Sequence, residues 1–360
     1  MEKHSKVKRA VGLDISDKWT VVSVLSMRSG EEIEQGRVRT RPEDLRQRFS
    51  GIAPMRIALE VGAHSPWISR LLEELGHEVL VANASKVPLI HGNSRKRDRA
   101  DAEHLARLAR HDPSLLHPLR HRSEQAQHDL AVLRSRDQLV QLRTGLINHV
   151  RGVLKALGSR GPSCTTDVFA ERMSGQIPEG LEAALGPVLE LIAQTTETIL
   201  GYERQIDRLA ARYEVTRVLR QVHGVGPITS LAYVLVLEDP MRFRTSRSVG
   251  PYLGLVPGLD ESGDSSPPQP ITRQGDALLR RLLVQCAHHI LGPFGRDCDL
   301  RRFGQRIEAR GGPRAKKTAA VAVARKLAVT LHRLWITGEV YDPFYTARRN
   351  GQAPEQEDAA

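Results

Sequence analysis

The chain has 360 residues, 26% of them charged, and a formal net charge of +11 at pH 7. This excess of cations indicates a polyanionic partner, nucleic acid before an acidic membrane surface, because each lysine or arginine that neutralises a phosphate releases a counterion. The sequence lacks an apolar run of about 20 residues, a signal-peptide core and a CxxC pair, which argues against a membrane span, secretion, a disulfide framework or a zinc site and predicts a protein of the reducing cytoplasm.

The N-terminal region, 8–122, alternates predicted strands with helices. Four short apolar or β-branched runs predict strands at 11–15, 20–26, 56–61 and 78–82. A helical pattern from Pro66 to Leu75 separates the last two. Because strands that alternate with helices form layers, we expect an α/β domain here, in a chain long enough for two or three domains of roughly 100–200 residues.

The middle region, 123–215, has the pattern of long helices. Apolar residues recur at steps of three and four from 123 to 157, and a second helical stretch runs from 181 to 211 after a break rich in glycine, proline and serine. Two long helices joined by a loop are typical of an antiparallel hairpin or a coiled coil. A plain helical subdomain without a role in assembly is an equal alternative.

The C-terminal region, 216–345, is predicted to be mainly helical. Glycine, proline, serine and aspartate dominate a loop from 256 to 270, as expected of a segment without regular structure. Helices are predicted at 276–291 and 316–335. The last residues, 346–360, are polar and predict a disordered tail.

Four acidic residues stand where their side chains could converge. Asp14 interrupts the apolar strand VGLDIS, Glu60 ends the strand RIALE, and Asp98 and Asp101 are three residues apart, on one face of a predicted helix. Together they form a donor set for hard divalent cations such as Mg²⁺, and two such ions can stabilise both reacting oxygens of a phosphodiester. Taken singly, each is more simply a capping residue or part of a solvated, salt-bridged face.

The first of these strands also has a rival interpretation. GLDIS resembles the opening of actin-like and sugar-kinase ATPases, where an aspartate approaches phosphates. Those folds need a second glycine-rich phosphate loop, and the sequence has no convincing one. An ATPase is therefore disfavoured.

Longer segments resemble the DEDD insertion-sequence transposases, a family that includes pilin-inversion recombinases and bridge-RNA-guided recombinases. The segments GLDIS, ALEVGAHS and KRDRADAEHLARL resemble its front domain. Those that resemble its C-terminal transposase domain are VHGVGPITSLAYVLVLEDPMRF, VGPYLGLVP and ITRQGDALLRRLLVQCA, with RAKKTAAVAVARKLAVTLHRLW as the closing helix. The resemblance implies a RuvC-like (ribonuclease H-type) α/β domain over 8–122, a helical, coiled-coil-like middle, and a mainly α transposase domain over 216–345.

The same resemblance implies roles for individual residues. Four are expected to bind Mg²⁺ and to act in catalysis: Asp14, Glu60, Asp98 and Asp101. Ser262 of DESGDSS matches the family's nucleophile, and a serine hydroxyl that attacks a phosphodiester leaves a covalent phosphoseryl–DNA link. On sequence alone Ser262 is a turn serine, with Ser265 and Ser266 as competing candidates. Asp264 and the SSPPQP run depart from the family, in which glycine and basic residues often follow the serine.

Three groups of residues are predicted to bind nucleic acid. Gly224 and Gly226 lie in HGVGPITSLAYV, the small-residue pattern of a helix-hairpin-helix element. A second group surrounds the helix start near 276, where backbone amides favour phosphate: Thr272, Arg273, Arg280 and Arg281. The third is the densest cluster of the basic stretch 296–333: Arg314, Lys316 and Lys317. A tight turn and solvated helix faces are the simpler alternatives.

The leading hypothesis is a transposase or site-specific recombinase that exchanges DNA strands between element ends and target, as a dimer or tetramer at the bacterial nucleoid. Aromatic residues make up only 4% of the chain, so base stacking is not its main mode of recognition. That shortage fits the guide non-coding RNA that the resemblance implies. The alternatives are a Holliday-junction-type nuclease that uses only the carboxylates and water, and a nucleic-acid-binding protein without catalysis.

Overall fold

The computed structural model describes residues 7–83, 98–259 and 269–351, with the side chain of Asp98 outside this set. The chain divides between Arg122 and Ser123 into two compact units. Each unit has its own hydrophobic core. No helix of the described residues is long and apolar enough to cross a membrane.

The first unit is built on a mixed five-stranded sheet. Its strands are β1 (Arg9–Ile15), β2 (Trp19–Ser26), β3 (Glu32–Arg39), β4 (Arg56–Glu60) and β5 (Glu78–Ala82). The order across the sheet is β3-β2-β1-β4-β5. β1, β2 and β3 pair antiparallel, whereas β4 and β5 continue parallel to β1. This arrangement is consistent with the ribonuclease H-type domain that the family resemblance implies.

Helices cover the two faces of this sheet. They are α1 (Pro42–Phe49), α2 (Ser65–Glu74) and α3 (Asp98–His111). Leu45 of α1 and Ile68 of α2 share a buried core with Val11 and Leu13 of β1, because burying apolar side chains away from water is favourable. α3 packs across β1, β2 and β4, and its Leu105 joins a second cluster with alanines of β4 and β5.

Two long helices dominate the start of the second unit. α4 (Glu124–Ala156) and α6 (Glu182–Arg212) pack antiparallel, joined by a segment that contains α5 (Phe169–Ser174). Ile147 and Val150 of α4 meet Leu189 and Ile192 of α6 in one apolar cluster. The two helices therefore form an antiparallel hairpin.

A buried carboxylate ties the two long helices together at their other end. Asp129 of α4 is 5% exposed and accepts hydrogen bonds from Arg212 (2.9 Å) and from the hydroxyl of Tyr213 (2.6 Å). Burial, followed by the bond to Asp129, raises the pKa of Tyr213 to about 12. Such a carboxylate is stable only because its lone pairs are satisfied.

The remainder of the second unit is mainly helical. Its helices are α7 (Val215–Leu219), α8 (Pro227–Leu237), α9 (Val249–Tyr252), α10 (Ala277–Leu291), α11 (Asp299–Glu308), α12 (Ala315–Thr337) and α13 (Tyr345–Arg349). From Thr229 onward every residue of α8 is buried, which places this apolar helix in the core of the second unit. Its core also takes Leu130 of α4 and Ile206 of α6, so packing is continuous from the hairpin into the C-terminal helices.

The end of the described chain differs from the predicted disordered tail. Tyr345–Arg349 forms a short helix. The Asp299 carboxylate, on α11, accepts hydrogen bonds from the backbone amides of Thr346 and Ala347, which satisfies two amides of the first turn. Residues 352–360 lie outside the described residues.

Candidate active site and nucleic-acid contacts

Two of the predicted carboxylates lie side by side on one face of the sheet. Leu13 of β1 is the parallel partner of Leu59 of β4, so Asp14 and Glu60, the next residues, are level with each other. Successive side chains of a strand alternate between faces, which puts Asp14 and Glu60 on the face of Gly12. Both are half-buried.

α3 brings the other two acids to the same end of the sheet. The Arg110 side chain donates to the carbonyl of Met27, and the Met27 amide donates to the carbonyl of Lys8, the residue before β1. Nearer the middle of the strand, Gly12 lies against the backbone of Ala102. The helix thus runs antiparallel to β1, and its first turn, with Asp98 and half-buried Asp101, lies toward the Asp14 end.

The donor set suits a hard divalent cation, because Mg²⁺ prefers carboxylate oxygens. Asp14, Glu60 and Asp101 supply such oxygens, on two neighbouring strands and the helix that covers them. Among the residues whose side chains the structure describes, no group of three or more acidic, histidine or cysteine side chains has the spacing of a metal site. Asp98, the fourth predicted ligand, has a side chain outside that set.

The loop after Glu60 is fixed by side chains that the sequence analysis did not single out. Ser65 is 1% exposed; its hydroxyl donates to the Gly62 carbonyl (2.8 Å) and accepts from the Gly62 amide (2.9 Å). Nε2 of His121 lies 2.9 Å from the same hydroxyl. Burial, then the cations Arg70 and Arg122, lowers the pKa of His121. A neutral His121 therefore holds the loop through Ser65, and no sequence motif marks this long-range pair.

A second histidine links this loop to the turn after β1. The indole nitrogen of Trp67 donates to Nδ1 of His64 (3.1 Å), and Nε2 of His64 lies 3.3 Å from the Asp17 carboxylate. Because Nδ1 accepts from Trp67, Nε2 carries the proton and donates to Asp17. The turn after β1 and the loop after β4, which follow Asp14 and Glu60, are therefore both held by side-chain hydrogen bonds.

The predicted nucleophile, Ser262, lies outside the described residues, but the two ends of its loop are described. The amide of Thr272 donates to the carbonyl of Val256 (2.9 Å), and the amide of Gly258 donates to the carbonyl of Pro270 (2.9 Å). The loop thus starts and ends in a short antiparallel ladder.

Below this ladder, glycine allows two backbone segments to touch. Gly275 has a φ of +78°, and a Cβ there would lie 2.1 Å from the carbonyl oxygen of Tyr252. Arg273 adopts a φ of +56° without being glycine, a conformation that costs energy for a side-chain-bearing residue. The chain between the ladder and α10 is therefore tightly constrained.

The predicted phosphate contacts around α10 have protein partners. The Asp276 carboxylate caps the helix by accepting from the Leu279 amide (2.9 Å), so an acid already occupies the helix start. Arg280 donates to the carbonyls of Leu253 (3.1 Å) and Gln274 (2.8 Å), and burial lowers its pKa. Its guanidinium therefore holds together the two chain segments that flank the loop containing Ser262.

Arg281, the next residue, has a different partner. Its guanidinium is paired with both carboxylate oxygens of Asp137 on α4. Thr272 donates its amide to the loop ladder. The geometry around α10 is thus that of a braced loop: Thr272 and Arg280 support backbone, whereas Arg281 joins α10 to α4.

The two glycines of the predicted helix-hairpin-helix element lie in the turn between α7 and α8. Gly224 has a φ of +89°, and a Cβ there would lie 3.1 Å from the His289 ring on α10. Gly226 is the N-cap of α8. Gly224 is thus required by packing and by its left-handed backbone, whereas Gly226 has open space around it.

The third predicted group is on the surface at the start of α12. Arg314, Lys316 and Lys317 are all exposed. The Lys316 ammonium is 3.9 Å from the Glu308 carboxylate, a weak pairing at an exposed site. These cations are available to a polyanion.

Comparisons with known proteins cover most of the chain. Residues 11–158 match a family model described as "Transposase", for the DEDD domain, and residues 216–296 match "Transposase IS116/IS110/IS902 family". A probable family 20 transposase of Pseudomonas aeruginosa is 30% identical over 92% of this chain and 98% of its own length. The transposase for insertion sequence element IS1328 of Yersinia enterocolitica is 30% identical over 79% and 87%.

A third relative is more distant in coverage. The transposase for insertion sequence element IS1111A of Coxiella burnetii is 29% identical over 69% of this chain and 69% of its own length. The match to the Pseudomonas protein covers 92% of this chain and so includes both the sheet unit and the helical unit. The chain therefore belongs to the IS116/IS110/IS902 family of transposases.

Proposed function

We propose that this transposase cuts and exchanges the DNA strands of an insertion sequence through a phosphoserine–DNA intermediate. The observation that carries the proposal is the common level of Asp14 and Glu60 on one sheet face, with the acidic first turn of α3 toward the same end. A carboxylate set of this kind suits phosphodiester chemistry with a divalent ion.

The carboxylates and the serine have separate roles in this proposal. Asp14, Glu60, Asp98 and Asp101 would hold Mg²⁺, which would stabilise negative charge on the reacting phosphate. The Ser262 oxygen forms a bond to phosphorus while the bond from phosphorus to the leaving sugar oxygen breaks. The serine proton is given up and the leaving oxygen gains one, so the protein stays attached to one strand. An incoming DNA hydroxyl reverses these steps and joins the new strands.

The braced loop supports the serine's role. Both ends of the loop are paired in the ladder of Val256, Gly258, Pro270 and Thr272, and Arg280 binds the carbonyls beneath it. A nucleophile has to be held near its target, and the paired ends fix where the segment that carries Ser262 leaves and rejoins the described chain.

The proposal extends to partners. Exposed cations at Arg314, Lys316 and Lys317 suit the phosphate backbone of the element ends and target. The scarcity of aromatic residues, 4% of the chain, favours recognition delegated to a guide non-coding RNA. The α4–α6 hairpin offers a long surface for a coiled-coil-like contact between copies, in a dimer or tetramer.

Trapping of a covalent adduct tests the proposal directly. Full-length protein is incubated with element-end DNA, the neighbouring non-coding RNA and Mg²⁺, and protein–DNA adducts are separated on a denaturing gel. We expect Ser262→Ala to lower adduct yield by at least about a thousandfold, the scale on which enzymes lose rate without their nucleophile. Asp14→Ala is expected to lose the adduct too.

Ser265→Ala is the matched control, because it removes the same hydroxyl three residues along the same loop. It is expected to form the adduct at the wild-type level. DNA cutting without an adduct, retained in Ser262→Ala and lost in Asp14→Ala, would instead identify a metal-dependent nuclease that uses water. An adduct lost in Ser265→Ala but retained in Ser262→Ala would identify Ser265 as the nucleophile.

A further inference from the structure

The edge strand β3 separates its charges by face. Glu34 points to the side of α1, where it pairs with Arg48 (2.7 Å). Arg37 and Arg39, at odd positions, lie on the opposite face of the strand, and both are exposed. Their neighbour on β2 is Trp19, the register partner of Arg39. We name Trp19, Arg37 and Arg39 the basic strip.

The tryptophan orders both arginines of the basic strip. The guanidinium carbon of Arg37 is 4.4 Å from the centre of the Trp19 ring, and that of Arg39 is 5.5 Å away. Both distances are within the range of cation–π attraction. Within the described part of the chain, neither guanidinium forms an ion pair with a carboxylate. Their positive charge is thus held in place but not neutralised by the protein.

The sheet register puts the basic strip beside the proposed catalytic carboxylates. Asp14 pairs with Val21, and Val21 pairs with Arg37, so one row crosses β1, β2 and β3 on the face that also carries Glu60. Two strand spacings of about 4.8 Å place the Arg37 backbone about 10 Å from that of Asp14. In duplex DNA this is the rise of about three nucleotides of one strand.

More cations surround the end of the basic strip. A cleft beside Trp19 and Arg39 is also lined by Lys18 and Arg41, both exposed. The acid in its lining is Asp17, whose carboxylate lies 3.3 Å from His64. The cleft therefore has an excess of positive charge, complementary to phosphates.

We propose that the basic strip binds the phosphate backbone of duplex DNA next to the scissile phosphate. This inference rests on the proposed function, since the carboxylates define where the scissile phosphate lies. Charged residues on an edge strand also discourage unwanted strand pairing, but mixed charges would do so equally well. Arg37 and Arg39 are both positive, both are ordered by the Trp19 ring, and they lie beside the carboxylates. This arrangement suits the binding of a polyanion.

Binding without chemistry tests this surface. Full-length protein in EDTA is titrated against a fluorescein-labelled 30-base-pair DNA duplex by anisotropy, over a series of salt concentrations. We expect the double variant Arg37→Ala/Arg39→Ala to bind about tenfold more weakly. The slope of log K against log salt should fall by about 2, since each phosphate contact contributes about 0.9.

The matched control is Arg46→Ala/Arg48→Ala, which removes the same charge from α1 on the other face, where both arginines are paired with acids. It is expected to change affinity by less than about twofold, as surface charges outside an interface do. Trp19→Leu keeps both charges and is expected to weaken binding about threefold by releasing the guanidinium groups. Melting temperatures check that every variant is folded.

Catalysis and binding separate in this experiment. Asp14→Asn is expected to bind DNA in EDTA at least as tightly as the wild type, because it removes a negative charge that repels phosphate when no cation is bound. A loss of binding confined to the basic-strip variants supports the surface even if no variant cuts DNA. Equal affinities for the strip variant and its α1 control would overturn the proposal. So would a defect seen with an RNA duplex of the same sequence but not with DNA.

Discussion

Asp14→Asn is expected to lower the rate of DNA cutting by at least about a hundredfold without unfolding the protein. The substitution keeps the size of the side chain and removes the negative charge from the centre of the proposed metal-binding row. A bound divalent ion contributes several kcal/mol of charge stabilisation, and about 2.7 kcal/mol corresponds to a hundredfold in rate. The measurement is single-turnover cutting of element-end DNA at saturating protein, over a range of Mg²⁺ concentrations.

Asp17→Asn is the control, since it makes the same chemical change three residues later, and the amide oxygen of asparagine still accepts from His64 as Asp17 does. It is expected to cut within about threefold of the wild type. A second pair resolves α3: Asp101→Asn should behave like Asp14→Asn, whereas Glu103→Gln, which loses only its exposed pairing with Arg107, should not. If Asp14→Asn cuts at the wild-type rate, the carboxylates of β1, β4 and α3 are not the catalytic centre.

Local patterns in the sequence predicted those strands whose residues face a dry core. β1, β2, β4 and β5 lie within one or two residues of the predicted runs. β3 was missed because EIEQGRVR is polar on both faces, with Ile33 50% exposed. The edge position of this strand in the sheet, which depends on its pairing with β2, is what makes it a strand.

The convergence of the carboxylates depends on pairing that no local pattern encodes. Asp14 and Glu60 are 46 residues apart in the sequence and become neighbours because β4 pairs parallel with β1. Family resemblance implied that they act together, whereas periodicity alone gave only separate acids. For Arg280 the sequence predicted a different partner from the one in the fold. Its charge indicated a phosphate contact, whereas in the fold its guanidinium donates to two carbonyls of its own chain.

Gly12→Ala is expected to displace α3 from the sheet, because among the described glycines of the first unit an added Cβ would have its closest contact here. A Cβ on Gly12 would lie 1.8 Å from the carbonyl oxygen of Ala102 and 2.6 Å from the amide nitrogen of Ala106. Both atoms are backbone, so relief requires the whole helix to move. Overpacking of this kind costs about 1–3 kcal/mol, and more where backbone must shift.

The displaced helix carries Asp98 and Asp101, so Gly12→Ala should lose DNA cutting even at temperatures where it remains folded. Hydrogen exchange of the α3 amides reports the displacement, because a helix that packs poorly opens more often. Gly36→Ala in β3 is the control: a Cβ there meets nothing within 4 Å, and it should exchange and cut as the wild type does. Wild-type protection of α3 in Gly12→Ala would mean that α3 does not pack on β1 as closely as the contact with Ala102 requires, and the approach of its acids to Asp14 would lose its structural basis.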